Sequence, residues 1–222
     1  MPINRRYENL AELPAVAPVF PLSGVLLLPR GELPLNVFEP RYVAMIDAAM
    51  KTNRLIGMVQ IAGSQDPGAR KPDLARTGCL GRITQLGETG DGRYILNLTG
   101  IVRFRILEEL PVMTPYRQCR LGLDDYERDL SRDPTLNSVN RAELLQCLQT
   151  YAAAKDLKVD WSGLKDAPPG AVITMFSMML PFDALEKQAL LEAESMADRA
   201  RLLIAMTDPA KAASDDTPKT LH

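Results

Sequence analysis

The chain has 222 residues, and its 26 lysines and arginines against 28 acidic side chains leave a formal net charge of −2. An apolar share of 46% with 24% charged residues is enough to build a core, which excludes a wholly disordered chain. The charge balance gives no overall grip on nucleic acid or anionic lipid, and the longest apolar run, Pro14 to Pro29, is broken by Pro18, Pro21, Ser23 and Gly24 before it could span a membrane.

The first dozen residues are polar, with Arg5 and Arg6 followed by Glu8 and Glu12 and no small-residue cleavage site. No signal peptide is read there, and the cytoplasm is the expected compartment. From Ala17 the chain turns to short apolar runs between prolines: Val19 to Leu22, Val25 to Pro29, and Leu33 to Val37. Prolines this frequent predict short strands at sheet edges. Pro40 then opens a helix, with Tyr42, Ile46, Ala49 and Met50 on one face.

Leu55 to Ile61 reads as a strand, and Gly63 to Ala75 as a polar loop. Two long β segments follow, Gly78 to Glu88 and Arg93 to Leu107, joined by Thr89-Gly90-Asp91-Gly92, a hairpin turn signal. Gly100 within the second arm predicts a bulge or bend. Tyr116 to Tyr126 completes the β-rich part, and Asp129 to Asn137 reads as a linker.

Everything beyond reads as helix. Asn140 with Glu143, Asp183 with Glu186, and Ser195 with Asp198 each have the spacing of a helix cap. Pro168-Pro169 opens a further helix, Gly170 to Leu180, apolar nearly all round and holding Met175, Met178 and Met179. The last fifteen or so residues are polar and are expected to fray. The expected division is 1–130 β-rich, 131–207 helical, and 208–222 a flexible tail.

Most enzyme chemistry is missing. Cys79, Cys119 and Cys147 form no C-x-x-C pair, and the only histidine is His222. Histidine triads, zinc sites of the H-E-x-x-H type and Cys-His pairs are therefore not written here. Gly63 to Gly68 has the glycine spacing of a phosphate loop, but Ala69 and Arg70 stand where lysine and a hydroxyl residue are needed. Glu108-Glu109 and Asp124-Asp125 are adjacent on expected strands and so point to opposite faces, as solvated charges do. The methionines could form an adaptable surface, but an apolar helix within a helical bundle is more often its buried centre, and core is the expected role. No catalytic residue, metal site or cofactor is expected.

In order and spacing, several motifs resemble the LON N-terminal domain, the substrate-binding part of ATP-dependent Lon proteases. They are Phe20-Pro21-Leu22, Leu28-Pro29, Leu33-Pro34-Leu35, Phe38-Glu39-Pro40-Arg41-Tyr42, Ile56 to Val59, Gly78 to Ile83, Gly100 to Ile106, Pro115-Tyr116, Leu180-Pro181 and Glu186-Lys187-Gln188. The Phe38 to Tyr42 run also occurs in cereblon-like relatives. Arg30 departs from the pattern, standing between Pro29 and Gly31 where many Lon proteases have Pro-Gly directly. The resemblance implies an α+β fold: an N-terminal PUA-like β pseudo-barrel with one inserted helix, then a C-terminal helical bundle. The chain stops before the AAA+ and peptidase segments of a Lon protease, so neither ATP hydrolysis nor proteolysis is carried over.

The function so implied is non-enzymatic recognition of unfolded or tagged polypeptides, as an adaptor for a protease. An exposed sheet edge can add a peptide strand, and the proline-rich strands Pro18 to Leu28 and Leu33 to Val37 are the expected edges. Phe38 and Tyr42 are the candidate aromatic anchors, although Tyr42 also fits a buried stripe and Phe38 a staple at the helix start. Glu39 would cap the helix and pair with an arginine, while Arg41, Arg82 and Arg103 serve either architecture or an acidic ligand. The alternative is an RNA-binding PUA-like module, which would need a basic patch around Arg82, Arg93, Arg103 and Arg105.

Overall fold

The computed structural model describes residues 6–62 and 71–208. The expected phosphate-loop spacing at Gly63 to Gly68, His222 and all but the first residue of the expected tail lie outside them. Six strands form the β-rich part: β1 Val16–Pro21, β2 Glu32–Val37, β3 Leu55–Ile61, β4 Leu74–Glu88, β5 Tyr94–Glu109 and β6 Arg117–Gly122. Helix α1, Pro40–Lys51, sits between β2 and β3 with proline at its first turn, and Tyr42, Met45, Ile46 and Ala49 buried. Thr89 to Gly92 makes the expected hairpin, with Gly90 and Gly92 both at positive φ.

β1 pairs in parallel with β3 and antiparallel with β6. β3 pairs with β4, β4 with β5, and the end of β5 with β6. The pairings thus close a circuit, β1–β3–β4–β5–β6 and back to β1. β2 lies outside it, paired to the first half of β5 with a free edge beyond. This corrects one expectation. β1 is no edge, because both its sides are taken, and its Pro18 is accommodated opposite Gln118. The Val25 to Pro29 run is not a strand either: Leu26, Leu27 and Leu28 are buried in an irregular segment, so burial there needs no ladder.

Long β5 serves two layers because of one extra residue. Gly81 pairs with Gly100 and Leu80 with Val102, which leaves Ile101 unpaired as a bulge. A bulge reverses the side on which even-numbered residues fall. Leu96 and Leu98 accordingly join the larger apolar cluster with α1 and the helices, whereas Val102 and Phe104 join a smaller one. The smaller cluster draws on every strand of the circuit (Val19, Leu55, Leu80, Phe104 and Cys119 among them) and on none of β2. It is the interior of the closed circuit.

Four helices follow: α2 Arg141–Ala154, α3 Pro169–Met179, α4 Ala184–Glu192 and α5 Met196–Met206. The side chains of Asn140, Asp183 and Ser195 cap α2, α4 and α5 through the N–H groups of Glu143, Glu186 and Asp198, as their spacing predicts. Trp161 stacks on Phe176 of α3, with ring centroids 5.6 Å apart. No helix among the described residues is long and apolar enough to cross a membrane.

Candidate recognition groove

Residues 129–137 are no loose linker. They run through two 3-10 turns, Asp124–Leu130 and Pro134–Ser138, and hold the β-rich and helical parts together. The first turn replaces the expected end of the β6 strand, and Asp125 there meets Arg105 at 3.4 Å. Asp129 accepts from Arg103 Nε and Nη2, each at 2.9 Å, and from the Arg103 backbone N–H. Arg103 Nη1 donates to the carbonyls of Leu191 and Ala193 at the end of α4. Burial alone would lower the Arg103 pKa, but the Asp129 carboxylate overrides that and holds it charged. Asp133 fixes the next stretch, accepting from Thr135 and from the Met196 N–H that opens α5. Burial would raise its pKa, and these hydrogen bonds outweigh it, so the carboxyl lies below its ordinary range.

Between these parts lies a groove of about 1210 Å³. The Pro29 to Glu32 turn, the 128–137 connection, the start of α5 and the Thr174-Met175-Met178-Met179 side of α3 line it. Arg30, the departure from the family pattern, takes φ +64° in that turn and donates through Nη2 to the carbonyls of Asp129 and Ser131. Met175 and Met178 are half-buried and Met179 is exposed, so α3 is partly core and partly an open methionine surface.

Arg199 of α5 also reaches the groove, although only 3% of it is exposed. Nε donates to Leu190 O at 2.7 Å and Nη1 contacts the thioether of Met196 at 3.0 Å. Burial, reinforced by the charge of Arg103, pulls its pKa down to about 10.

The residues expected as a peptide site fall in three places. Phe38, Glu39, Arg41 and Tyr42 meet at the joint between β2 and α1. Phe38 is 61% exposed, with Arg93 6.0 Å from its ring, and Ile95, paired with Asn36 two residues earlier, is 55% exposed. Tyr42 is buried instead, its ring 4.2 Å from that of Phe20. Glu39 stands at the N-cap position of α1 but makes no capping bond; it pairs with Arg41 at 2.7 Å. A backbone-directed cap needs a short side chain, and Glu39 is drawn to the guanidinium two residues on. Arg82 is buried far along β4, donating to Tyr7 Oη and Asn53 O at 2.8 Å. Arg103 alone of the six lines the groove.

Of the four arginines in the expected basic patch, Arg82 and Arg103 are buried, while Arg93 and Arg105 are exposed and paired to Asp91 and Asp125. Glu108 and Glu109 are each paired, to Arg120 and to Arg117 with Lys71, rather than merely solvated. No cluster of potential metal ligands occurs among the described residues. Sequence reasoning passed over Arg199 and Asp133, and marked Arg30 only as a departure from the family pattern. A signal existed for Arg199: it falls three residues after Met196 and four before Leu203, on the inward stripe of α5.

A closed strand circuit joined to four helices across a methionine-walled groove defines an α+β domain. Residues 16–208 match the family of the ATP-dependent protease La (LON) substrate-binding domain, and the chain belongs to that family. It is 28% identical over 203 residues to a Lon protease 2 of Myxococcus xanthus, covering 88% of this chain and 24% of that protein. It is 29% identical over 205 residues to a Lon protease of Anaeromyxobacter dehalogenans, covering 88% and 23% respectively. The chain thus spans about a quarter of the length of these curated relatives. Among solved structures, it resembles a Lon N-terminal domain protein from Xanthomonas campestris, with TM-score 0.60, 20% identity, and coverage of 86% of this chain and 97% of that one. The N-terminal domain of a Mycobacterium avium complex Lon protease gives TM-score 0.63 at 16% identity, with 87% and 98% covered. At such identities these two establish the fold.

Proposed function

We propose that this domain recognises unfolded or otherwise accessible polypeptide segments, without catalysing a reaction on them, and presents them to a protease. The observation that supports this most is the groove wall of Met175, Met178, Met179 and Met196. Unbranched thioether side chains repack around different apolar partners, which is what a receptor for many sequences needs. β2 extends the surface. It begins at Glu32 on the groove lining and ends beside exposed Phe38, and its outer edge is free to add an extended segment. Pro34 interrupts that edge by withholding one N–H, which disfavours pairing with a second β2 more than it disfavours a short peptide. Within this reading Phe38 is an anchor, the Glu39–Arg41 pair its polar rim, and Tyr42, Arg82 and Arg103 are framework. The closed strand circuit is read as the PUA-like pseudo-barrel, and the helices beyond it as the second lobe that completes the groove.

Fluorescence anisotropy with one labelled protein, presented native and in a reduced, alkylated unfolded form, tests the proposal. Binding of the unfolded form alone, little changed between low and moderate salt and weakened about tenfold by Met178→Asp, is the expected result. Binding of neither form overturns it. Binding of RNA with a steep salt dependence would replace it with the nucleic-acid reading.

A further inference from the structure

We infer that Arg199 forms a carboxylate seat within the groove, which takes the C-terminal end of a polypeptide whose last side chains are apolar. The inference rests on the polypeptide-recognition reading and narrows it to one kind of chain end.

A buried guanidinium normally has a carboxylate partner, because an unmatched charge out of water is costly. Arg103 has Asp129. Arg199, equally buried, has a backbone carbonyl on Nε and only a thioether at Nη1, a weak acceptor. The nearest carboxylates are already engaged: Asp129 in both of its bonds to Arg103, and Asp133 by Thr135 and the Met196 N–H. Five arginines line the groove, at 30, 103, 128, 132 and 199, against four carboxylates, Glu32, Asp129, Asp133 and Glu194. Arg30, Arg128, Arg132 and both glutamates are exposed, so the inward charges are Arg103 and Arg199 with Asp129 and Asp133, of which Arg103 and Asp129 satisfy each other. An incoming carboxylate would displace the Met196 sulfur from Nη1 and exchange a weak contact for a charge-assisted hydrogen bond.

The surroundings select the ligand. Met196 lies against the guanidinium and the α3 methionines line the same groove, so an apolar group next to the carboxylate finds apolar partners. Among the described residues, the groove lining carries no aromatic ring on which a nucleobase would stack. Arg199 is only 3% exposed although it lines the groove, which suits a narrow chain end better than a phosphodiester with nucleotides on both sides.

Two fluorescent octapeptides of one apolar sequence, ending in a free carboxylate or in an amide, distinguish the possibilities by anisotropy. The free acid is expected to bind about tenfold more tightly, and Arg199→Gln to remove the difference between the two peptides. Since substitution of a buried residue can disturb folding, the Arg199 Nε–H resonance of the unsubstituted protein provides a second readout. It should shift with the free acid and not with the amide. Equal binding of both peptides, with no shift, overturns the seat while leaving polypeptide recognition standing. Binding of neither peptide overturns both.

Discussion

Arg103 and Asp129 meet in a two-point ion pair, Nε to Oδ2 and Nη2 to Oδ1, both at 2.9 Å and both side chains at most 10% exposed. The same guanidinium holds two carbonyls at the end of α4, so one side chain from β5 fixes both the connection and the helices. Removing one member strands the other's charge in the interior, at a cost of about 3–5 kcal/mol. Arg103→Met is therefore expected to lower the urea midpoint strongly. The double variant Arg103→Met/Asp129→Leu should be less destabilised than the two single effects added together, which a double-mutant cycle reads directly.

Inside the strand circuit Phe104 fills space left by missing side chains. A Cβ on Gly57 would lie 2.8 Å from Phe104 Cζ and 2.9 Å from Cε1, and one on Gly78 would meet the same ring. Gly57→Ala overpacks this core and should cost about 1–3 kcal/mol. Shrinking the ring relieves the clash, so Gly57→Ala/Phe104→Leu should lose less than the sum of the single losses. Additive losses in thermal or urea unfolding would mean that the ring had already moved aside.

Local signals were legible where a single residue type enforces the backbone. Gly90 and Gly92 marked the hairpin, Asn140, Asp183 and Ser195 marked three helix starts, and Gly100 marked the bulge. Non-local facts were not legible in the same way. That β1 has partners on both sides, and that Leu26 to Leu28 are buried without a ladder, depends on which distant strands arrive beside them. The arginines show the same limit. Arg103 and Arg105 alternate with apolar neighbours alike, yet one is buried under α4 and the other is exposed beside Asp125. The groove lies at a junction of segments more than a hundred residues apart, and only its methionine wall and the α5 stripe carrying Arg199 had a local pattern.

Glu109 gives the fold an acid limit. The hydrogen bonds from Arg117 Nε and Nη2, with Lys71 beside them, hold its carboxyl below the ordinary range. A carboxylate whose pKa is depressed on folding adds stability that is complete above its unfolded value and lost as pH falls through its folded value. The urea midpoint is expected to be flat near neutrality and to fall below about pH 4.3, the ordinary value for glutamate. Glu109→Gln should lose about 1–3 kcal/mol at pH 7 and show a shallower acid decline. An unchanged acid decline would place the acid sensitivity in other carboxylates.

The three thiols report on how tightly the two clusters stay closed. Cys79 is fully buried, and desolvation, with Asp129 adding to it, pushes its pKa far above the ordinary thiol range. Cys119 lies inside the strand circuit, and burial pushes it up to about 11. Cys147 on α2 is half-buried, and its pKa is also raised by partial burial and by Glu143. The thiolate is the reacting species, so neither buried thiol should react with an aromatic disulfide reagent in the native protein at pH 8. Cys147 should react alone, more slowly than free cysteine, and all three should react in urea. Native labelling of Cys119 at a rate independent of reagent concentration would instead reveal an opening of the strand circuit, most directly at the β1–β6 pairing that covers it.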